Sequence, residues 1–159
     1  FDDPDVYQAF TELMDAKKSL QLVLDRNQHV NPTCSRQHAR VCGLSSWGAQ
    51  IRTYQPEAKG FAMQHSKVLI IDDSVIFVGS ANLTFNSLHK NHECVLFARD
   101  RRSVSRCVMQ FEDLWKACQV VVTREAMEAI VKTDRHPASR GRRSRSASRE
   151  RTPAPSAPG

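Results

Sequence analysis

The chain has 159 residues, of which 40% are hydrophobic, and a formal net charge of +6 at pH 7. This length favours one domain with tails over two domains, and the sequence contains neither a recognisable signal peptide nor the run of about 18 apolar residues that crosses a membrane. Residues 134–159 carry seven arginines and two acids, a net +5 that leaves only +1 for the rest of the chain. The basic pI of about 9.3 is therefore a property of the tail and does not indicate that the folded part binds nucleic acid.

The cysteines indicate neither a disulfide framework nor a zinc site. Their number is odd and no two of them form a C-x-x-C pair. A metal-binding interpretation rests on His38 lying between two of them, but reduced, partly buried thiols of an intracellular protein are the better interpretation. The five are Cys34, Cys42, Cys94, Cys107 and Cys118.

The first part of the chain alternates predicted helices and strands. Asp3 is suited to cap a helix and Pro4 to occupy its first position, and apolar residues at helical spacing continue this helix to about residues 16–18. A run of leucines and valine predicts a strand that ends at Asp25. The predicted elements that follow are a loop over 26–35, a helix over 35–44, a strand over 51–54 and a turn over 55–60.

The second part centres on a predicted hairpin. Two apolar, β-branched runs over 68–71 and 75–78 flank Asp72-Asp73-Ser74 and predict two buried strands. A loop with a helical turn over 79–89, a strand over 94–98 and an amphipathic helix over 101–116 then complete the predicted order. Helices and strands that alternate around a hairpin predict an α/β fold with a mixed β-sheet flanked by helices.

The chain divides by composition into a folded part and a tail. We expect one folded domain over 1–122, a short helix or linker over 123–136, and a disordered Arg/Ser/Pro-rich tail over 137–159, which lacks large apolar residues. Such a tail can contact RNA or protein under the control of serine phosphorylation, or it can be solvated without a specific partner. Composition leaves both interpretations open.

Polar residues on either side of the hairpin could carry chemistry. His65 and Lys67 are two apart at the start of a predicted strand, so their side chains point to the same side of an extended backbone. Ser80 and Asn82 repeat this spacing after the next strand. Because a hairpin brings its outer ends together, we expect all four side chains to converge at one end of the sheet.

The four residues have complementary chemistry. An ammonium, a hydroxyl and an amide can each donate a hydrogen bond to a phosphate oxygen, whereas His65 can act as a nucleophile or base. A carboxylate such as Glu93 could fix the tautomer and orientation of that imidazole. The sequence offers no acidic cluster to hold a metal ion, so we expect neither a metal nor another cofactor.

The spacing of these residues resembles that of a known family. His65-Ser66-Lys67 is followed by four residues and Asp72, then by six residues and Gly79-Ser80-Ala81-Asn82. This pattern resembles the signature of the phospholipase D superfamily. The similarity extends over about residues 3–120 and implies that 1–122 is one phospholipase D-like catalytic repeat. We expect this repeat to be truncated at its N-terminus, because the chain does not begin with Met.

The resemblance implies a metal-independent phosphodiester hydrolase with a covalent intermediate. His65 would attack phosphorus to form a phosphohistidine, and Glu93 would orient the imidazole. Asp72 belongs to the signature, although its place in the hairpin turn suggests a mainly structural role. The implied catalytic set is His65, Lys67, Asp72 and Glu93, and the implied phosphate-binding set is Lys67, Ser80 and Asn82.

The resemblance also implies a second histidine that protonates the leaving oxygen. The chain contains one copy of the signature, so we expect a homodimer that completes the active site, or alternatively a second copy in a lost segment. His89 and His92 are interpreted as loop histidines, and they are the first candidates for this acid if the protein acts as a monomer. A competing hypothesis is a catalytically idle scaffold whose arginine–serine tail binds RNA or protein.

The resemblance does not fix the substrate. The single-signature layout is similar both to bacterial-type endonucleases of the superfamily and to the mitochondrial cardiolipin hydrolase group. The substrate is therefore a phospholipid or a nucleic acid, and both hydrolysis and transfer to an alcohol stay open. We expect an intracellular protein, associated with a mitochondrial membrane if an N-terminal anchor was lost.

Overall fold

The strands form two separate three-stranded sheets in the computed structural model, which describes residues 1–29, 31, 34–55, 63–118 and 120–121. The predicted α/β class is confirmed. The predicted linker over 123–136 and tail over 137–159 lie outside the described residues. The helices are α1 (Pro4–Asp15), α2 (Arg26–His29), α3 (Ser35–Ser46), α4 (Phe85–His89) and α5 (Arg101–Ala117), and the strands are β1 (Gln21–Asp25), β2 (Gln50–Tyr54), β3 (Lys67–Ile71), β4 (Val75–Gly79), β5 (Val95–Ala98) and β6 (Val120–Val121).

The first sheet mixes parallel and antiparallel pairing. Its strand order is β1-β2-β6, with β1 parallel to β2 and β6 antiparallel to β2. The parallel pair requires a crossover connection, which α2 and α3 supply. The strand β6 was not predicted, because two residues are too few to show the alternation by which strands are recognised.

The start of α1 is as predicted. The Asp3 carboxylate accepts the backbone N–H groups of Asp5 and Val6, each at 3.0 Å, and so satisfies two of the free donors of the first turn. The helix ends at Asp15, and Lys17 follows in the left-handed conformation with φ 53°.

The loop predicted over 26–35 is wrong at its beginning, where α2 forms. Asp25 accepts the backbone N–H of Gln28 at 2.9 Å through Oδ1, so the last residue of β1 caps the helix that follows it. The next helix, α3, begins at the predicted Ser35 and continues to Ser46, two residues beyond the predicted end.

The hydrophobic core lies between the first sheet and the helices α1 and α3. Leu44 and Val41 on α3 and Ile51 on β2 are at most 1% exposed. They pack with Phe10 of α1 and with Ala49 in one cluster. Apolar side chains from three elements therefore share one interior, which fixes the helices on the sheet.

The second sheet carries the hairpin. Its antiparallel strands have the order β3-β4-β5, and α5 contacts both β3 and β4. The prediction of two buried strands is wrong for β3, where Val68, Leu69 and Ile71 are 37–44% exposed. The reason is that β3 lies at an edge of this sheet, so it has a strand neighbour on one side only.

An arginine connects the two halves of the fold. The Arg52 guanidinium on β2 lies 4.3 Å from the centre of the Trp115 ring and donates a hydrogen bond of 2.8 Å to the Trp115 carbonyl oxygen. This cation–π contact holds the C-terminal part of α5 against the first sheet. None of the helices in the described ranges is both long enough and apolar enough to span a bilayer.

Truncation of Leu44 should test the core assignment. Leu44→Ala is expected to lower the free energy of unfolding by about 2–5 kcal/mol, because it removes a fully buried side chain and leaves a cavity. Urea denaturation followed by circular dichroism measures this change. The control is Leu13→Ala on α1, where the side chain is 40% exposed and the loss should be much smaller. Equal losses in the two variants would contradict the assignment.

Candidate active site

The hairpin brings the predicted residues to one end of the second sheet. Lys67, the first residue of β3, lies directly opposite Gly79, the last residue of β4. His65 lies two positions before Lys67 in the segment that leads into β3, and Ser80 directly follows the end of β4. The predicted convergence of the two outer ends of the hairpin is therefore realised in the backbone register.

Lys67 has both polar and electrostatic contacts at this end. Its Nζ donates a hydrogen bond of 2.6 Å to the backbone carbonyl oxygen of His65. Burial lowers the pKa of Lys67 from its ordinary value, and the negative charge of Glu93 opposes that change. The ammonium is thus positioned beside the candidate nucleophile.

Gly79 allows β4 and β5 to come unusually close together. A Cβ atom at this position would lie 2.1 Å from the carbonyl oxygen of Cys94 and 2.8 Å from the Cα of Val95. Both are backbone atoms, so no side-chain movement could relieve the clash. The glycine of the signature is required here for steric reasons, and the backbone N–H of Ser80 can then donate to the Cys94 carbonyl oxygen at 3.0 Å.

Glu93 lies at the centre of the hydrogen bonds in this region. Its carboxylate accepts from the hydroxyl of Ser80, from the hydroxyl of Ser87 at 2.6 Å and from the side-chain amide of Asn91 at 3.3 Å. These hydrogen bonds stabilise the charged form and so hold the pKa of Glu93 below its usual value. The bond from Ser80 has the largest effect.

The orientation of His65 by Glu93 stays a prediction. Within the described ranges, the imidazole of His65 makes no hydrogen bond. The Ser80 hydroxyl donates to Glu93 and accepts the backbone N–H of Cys94 at 3.1 Å. Ser80 is therefore used to hold the loop in place, in addition to any contact it makes with a phosphate.

Asp72 lies at the opposite end of the hairpin from His65. Asp72 and Asp73 occupy the turn with φ values of 50° and 48°, and Ser74 donates its N–H to the Ile71 carbonyl oxygen at 3.0 Å. Asp is among the few residues other than Gly that tolerate this left-handed conformation. The length of β3, about 3.3 Å per residue, separates this turn from the other signature residues. This position favours the structural role suggested for Asp72.

Two further residues, neither of them predicted from the sequence, support this region. Asp25 accepts the backbone N–H of Gln64 at 2.8 Å through Oδ2 and so anchors the residue that precedes His65. An acid at the carboxyl end of a parallel strand, where α/β proteins place their ligands, was the signal that could have identified it. Ser87 bonds to Glu93 from within α4, and no periodic pattern in the sequence marks it.

His89 is bound to the N-terminal cap of α1. Its Nε2 lies 2.8 Å from Oδ2 of Asp3, a residue with no exposed surface. Asp2 strengthens the same junction, because its carboxylate accepts the backbone N–H of Phe85 at 3.0 Å. Both contacts join α4 to α1, so His89 has a structural partner, whereas His92 is exposed.

Potential metal ligands come together at this junction and not at the hairpin. In the described part of the chain, one group of three such residues has its ligand atoms within 4.8 Å of each other, namely Asp3, Asp5 and His89. The Asp3 carboxylate is already engaged by the helix and by His89, so the arrangement is accounted for as a cap and a polar pair. Cys34, Cys94, Cys107 and Cys118 are free thiols, and Cys94 is exposed.

Comparison with known proteins identifies the family. A family model described as a cardiolipin synthase, PLD-like domain, matches residues 1–115. Phospholipase D Z of Dictyostelium discoideum is 30% identical over 118 residues, which are 73% of this chain and 27% of that protein. Cardiolipin synthase 2 of Bacillus anthracis is 36% identical over 77 residues, which are 48% of this chain and 14% of that protein.

Solved structures agree with this assignment at the level of the fold. Nuc from Salmonella typhimurium, described as a phospholipase D family member, has a TM-score of 0.66 at 22% identity, with 77% of this chain and 76% of that chain covered. NucT from Helicobacter pylori has a TM-score of 0.64 at 21% identity, with 74% of this chain and 75% of that chain covered.

The fold and the signature together define a phospholipase D-like domain. This chain belongs to the phospholipase D superfamily, and its described residues fold as a single domain of that type. The chain spans 27% or less of the length of the two curated relatives named above.

The junction between α1 and α4 should make stability depend on pH in acid. Burial alone would raise the pKa of Asp3, but hydrogen bonds from Val6, His89 and Asp5 outweigh it, so the pKa lies below its ordinary value of 3.8. The stability that Asp3 contributes is therefore present above about pH 3.8 and is lost as the pH falls through the lower pKa of the folded state.

Asp3→Asn keeps a capping oxygen and removes the charge. Urea midpoints measured between about pH 2 and 6 should decline less steeply in this variant than in the unsubstituted protein. Asp113→Asn removes the same charge from an exposed position on α5 and should retain the original slope. An unchanged slope in Asp3→Asn would refute the role given to this carboxylate.

Proposed function

We propose that the protein breaks a phosphodiester bond by covalent attack of His65 on phosphorus. The observation that carries this proposal is the register that places Lys67 opposite Gly79, because it brings the segment of His65 and Lys67 beside the segment that begins at Ser80. The His65 imidazole forms the bond to phosphorus and displaces the leaving oxygen, so the phosphoryl group becomes attached to the enzyme.

The phosphate-binding residues stabilise the charge that develops during this attack. The Lys67 ammonium and the Asn82 amide donate hydrogen bonds to the non-bridging oxygens, with Ser80 assisting from the neighbouring position. Fixed donors of this kind contribute more in the transition state than in the ground state, because the negative charge on these oxygens increases as the nucleophile approaches.

A second histidine completes the reaction. While His65 is covalently occupied it cannot protonate the leaving oxygen, so another imidazole must supply that proton. We place this imidazole on a second copy of the chain, as His65 of a two-fold related protomer. It then removes a proton from water, and the resulting hydroxide attacks the phosphohistidine, releases a phosphomonoester and restores His65.

A phospholipid is the substrate class with the better support. The sequence relatives at 30% identity or above are called phospholipase D and cardiolipin synthase. Apolar side chains also lie close to the signature residues. Met63, two residues before His65, is 43% exposed, and Val95, paired with Gly79, is 47% exposed. Such residues suit a substrate that carries acyl chains, and a single-stranded oligonucleotide is the comparison substrate.

Removal of His65 should abolish turnover. With bis-(p-nitrophenyl) phosphate as substrate and a chelator present, His65→Ala is expected to lower kcat by at least about 1,000-fold, because it removes the covalent nucleophile. The control is His92→Ala, which removes an exposed imidazole close to Glu93. Full activity in His65→Ala would refute the mechanism, and activity that disappears only with chelator would refute its independence from metal.

An assay with a lipid substrate can distinguish hydrolysis from transfer to an alcohol. Cardiolipin vesicles with and without a primary alcohol, analysed by mass spectrometry, distinguish a phosphatidic acid product from a phosphatidyl alcohol. Cleavage of the oligonucleotide without cleavage of lipid would contradict the substrate class proposed here and would leave the His65 mechanism intact.

A shared active site requires a dimer. Sedimentation should report a species of about twice the 18.0 kDa of the chain. Mixtures of His65→Ala and Lys67→Ala chains form heterodimers whose shared site lacks one histidine and one lysine, so mixing should not restore turnover.

Two results would contradict the shared site. A monomer with full turnover would require an acid within the chain, and His92 would be the first residue to substitute because His89 is already bound to Asp3. A monomer without turnover on any phosphodiester would instead favour the alternative of a scaffold that carries an arginine–serine tail.

A further inference from the structure

The short helix α4 buries a polar side chain and exposes its apolar ones. Ser87 is 4% exposed, whereas Phe85 and Leu88 are 41% and 42% exposed. Apolar side chains usually face the interior of a globular protein, and a buried hydroxyl is unfavourable unless it is hydrogen-bonded. The orientation of α4 is therefore explained by the partners of Ser87.

Both partners of Ser87 belong to the candidate active site. The Ser87 hydroxyl donates to Glu93 at 2.6 Å and accepts the backbone N–H of Asn82 at 2.8 Å. The direction of each bond is fixed, because an ionised carboxylate can only accept and a backbone N–H can only donate. One hydroxyl thus connects the backbone of a phosphate-binding residue to the central carboxylate.

The connection closes a ring of hydrogen bonds. Glu93 accepts from Ser80 through one carboxylate oxygen and from Ser87 through the other. The loop that begins at Ser80 and reaches Asn82 is therefore fixed at both of its ends to the same side chain. The cap of α4 supports this arrangement, since the Ser87 N–H lies 3.4 Å from the Thr84 hydroxyl.

We propose that Ser87 is a positioning residue, which sets the place of Asn82 relative to the reacting phosphate by tying its backbone to Glu93. The inference rests on the proposed function in one respect, namely that Asn82 holds a phosphate oxygen. Ser87 itself is buried, so we expect it to act through Asn82 and not by contact with the substrate. If the Ser87 hydroxyl is removed, the backbone of Asn82 is no longer held in one position. The activation free energy should then rise, because the placement of donors matters most in the transition state.

The test compares Ser87→Ala, Ser87→Thr and the control Ser105→Ala, which alters an exposed serine on α5. With bis-(p-nitrophenyl) phosphate, Ser87→Ala is expected to lower kcat by about 10- to 100-fold, the range for a small misplacement of a reacting group. KM should change less than kcat, and Ser87→Thr, which retains the hydroxyl, should recover part of the loss. Turnover in Ser87→Ala equal to that in Ser105→Ala would overturn the proposal.

A second measurement separates positioning from folding. Urea denaturation of the same variants reports the free energy of unfolding, and a ¹³C NMR titration of the Glu93 carboxyl reports its pKa. The pKa of Glu93 should rise towards its ordinary value in Ser87→Ala, because one hydrogen bond to the charged form is lost. A loss of kcat with no change in this pKa, or a loss that Ser87→Thr does not relieve, would also overturn the proposal.

Failure of the proposed function can be recognised independently. If the unsubstituted protein turns over no phosphodiester, the proposed function fails, and binding of inorganic phosphate then decides the role of Ser87. Weaker phosphate binding in Ser87→Ala than in Ser105→Ala would support positioning without catalysis. Equal binding in the two variants would overturn it.

Discussion

The backbone of β4 passes so close to β5 at Gly79 that no side chain fits between them. This approach brings the residue after the strand, Ser80, within hydrogen-bonding distance of the start of the neighbouring strand, where Glu93 and Cys94 lie. The remaining polar contacts of the site depend on this closeness, because Glu93 can fix the loop only if the loop begins beside it. A larger residue at position 79 would separate the strands and remove the partners of both serines.

Support for the same region also comes from elements outside the hairpin. Asp25, at the end of β1, holds the backbone of Gln64, so the first sheet helps to position the approach to His65. Asp2 and Asp3 hold the two ends of α4 at Phe85 and His89. The signature residues are thus fixed by the folded domain as a whole, and damage to α1 would be expected to reach the site through α4.

The sequence contained enough information to predict most elements and the pairing that brings the two outer ends of the hairpin together. The cap at Asp3, the two apolar runs around the turn at Asp72 and the apolar face of α5 are local signals, and local signals can be recognised in a single sequence. The short helix α2 was missed because four residues are too few to show helical periodicity. The exposure of β3 was mispredicted because an apolar run does not reveal whether its strand is central or at an edge.

The supporting residues were harder to predict for a different reason. Ser87 has neither helical periodicity nor a motif to mark it, and its importance arises from two partners that the fold brings to it. The partners of Glu93 could not be derived either, because hydrogen bonds between side chains depend on distances that spacing in the sequence does not determine. The spacing in the sequence thus identified the candidate site residues, and the structure showed the hydrogen bonds that hold them in position.

The turn at Asp72–Ser74 has a practical consequence. It is exposed, and it lies at the opposite end of the hairpin from Lys67 and Gly79. A fluorescent dye or a surface linker attached at Ser74, by chemistry that does not modify the exposed thiol of Cys94, would be coupled to the strand that leads to Lys67 without obstructing access to the phosphate. Single-molecule measurements of substrate binding could therefore use this turn as their point of attachment.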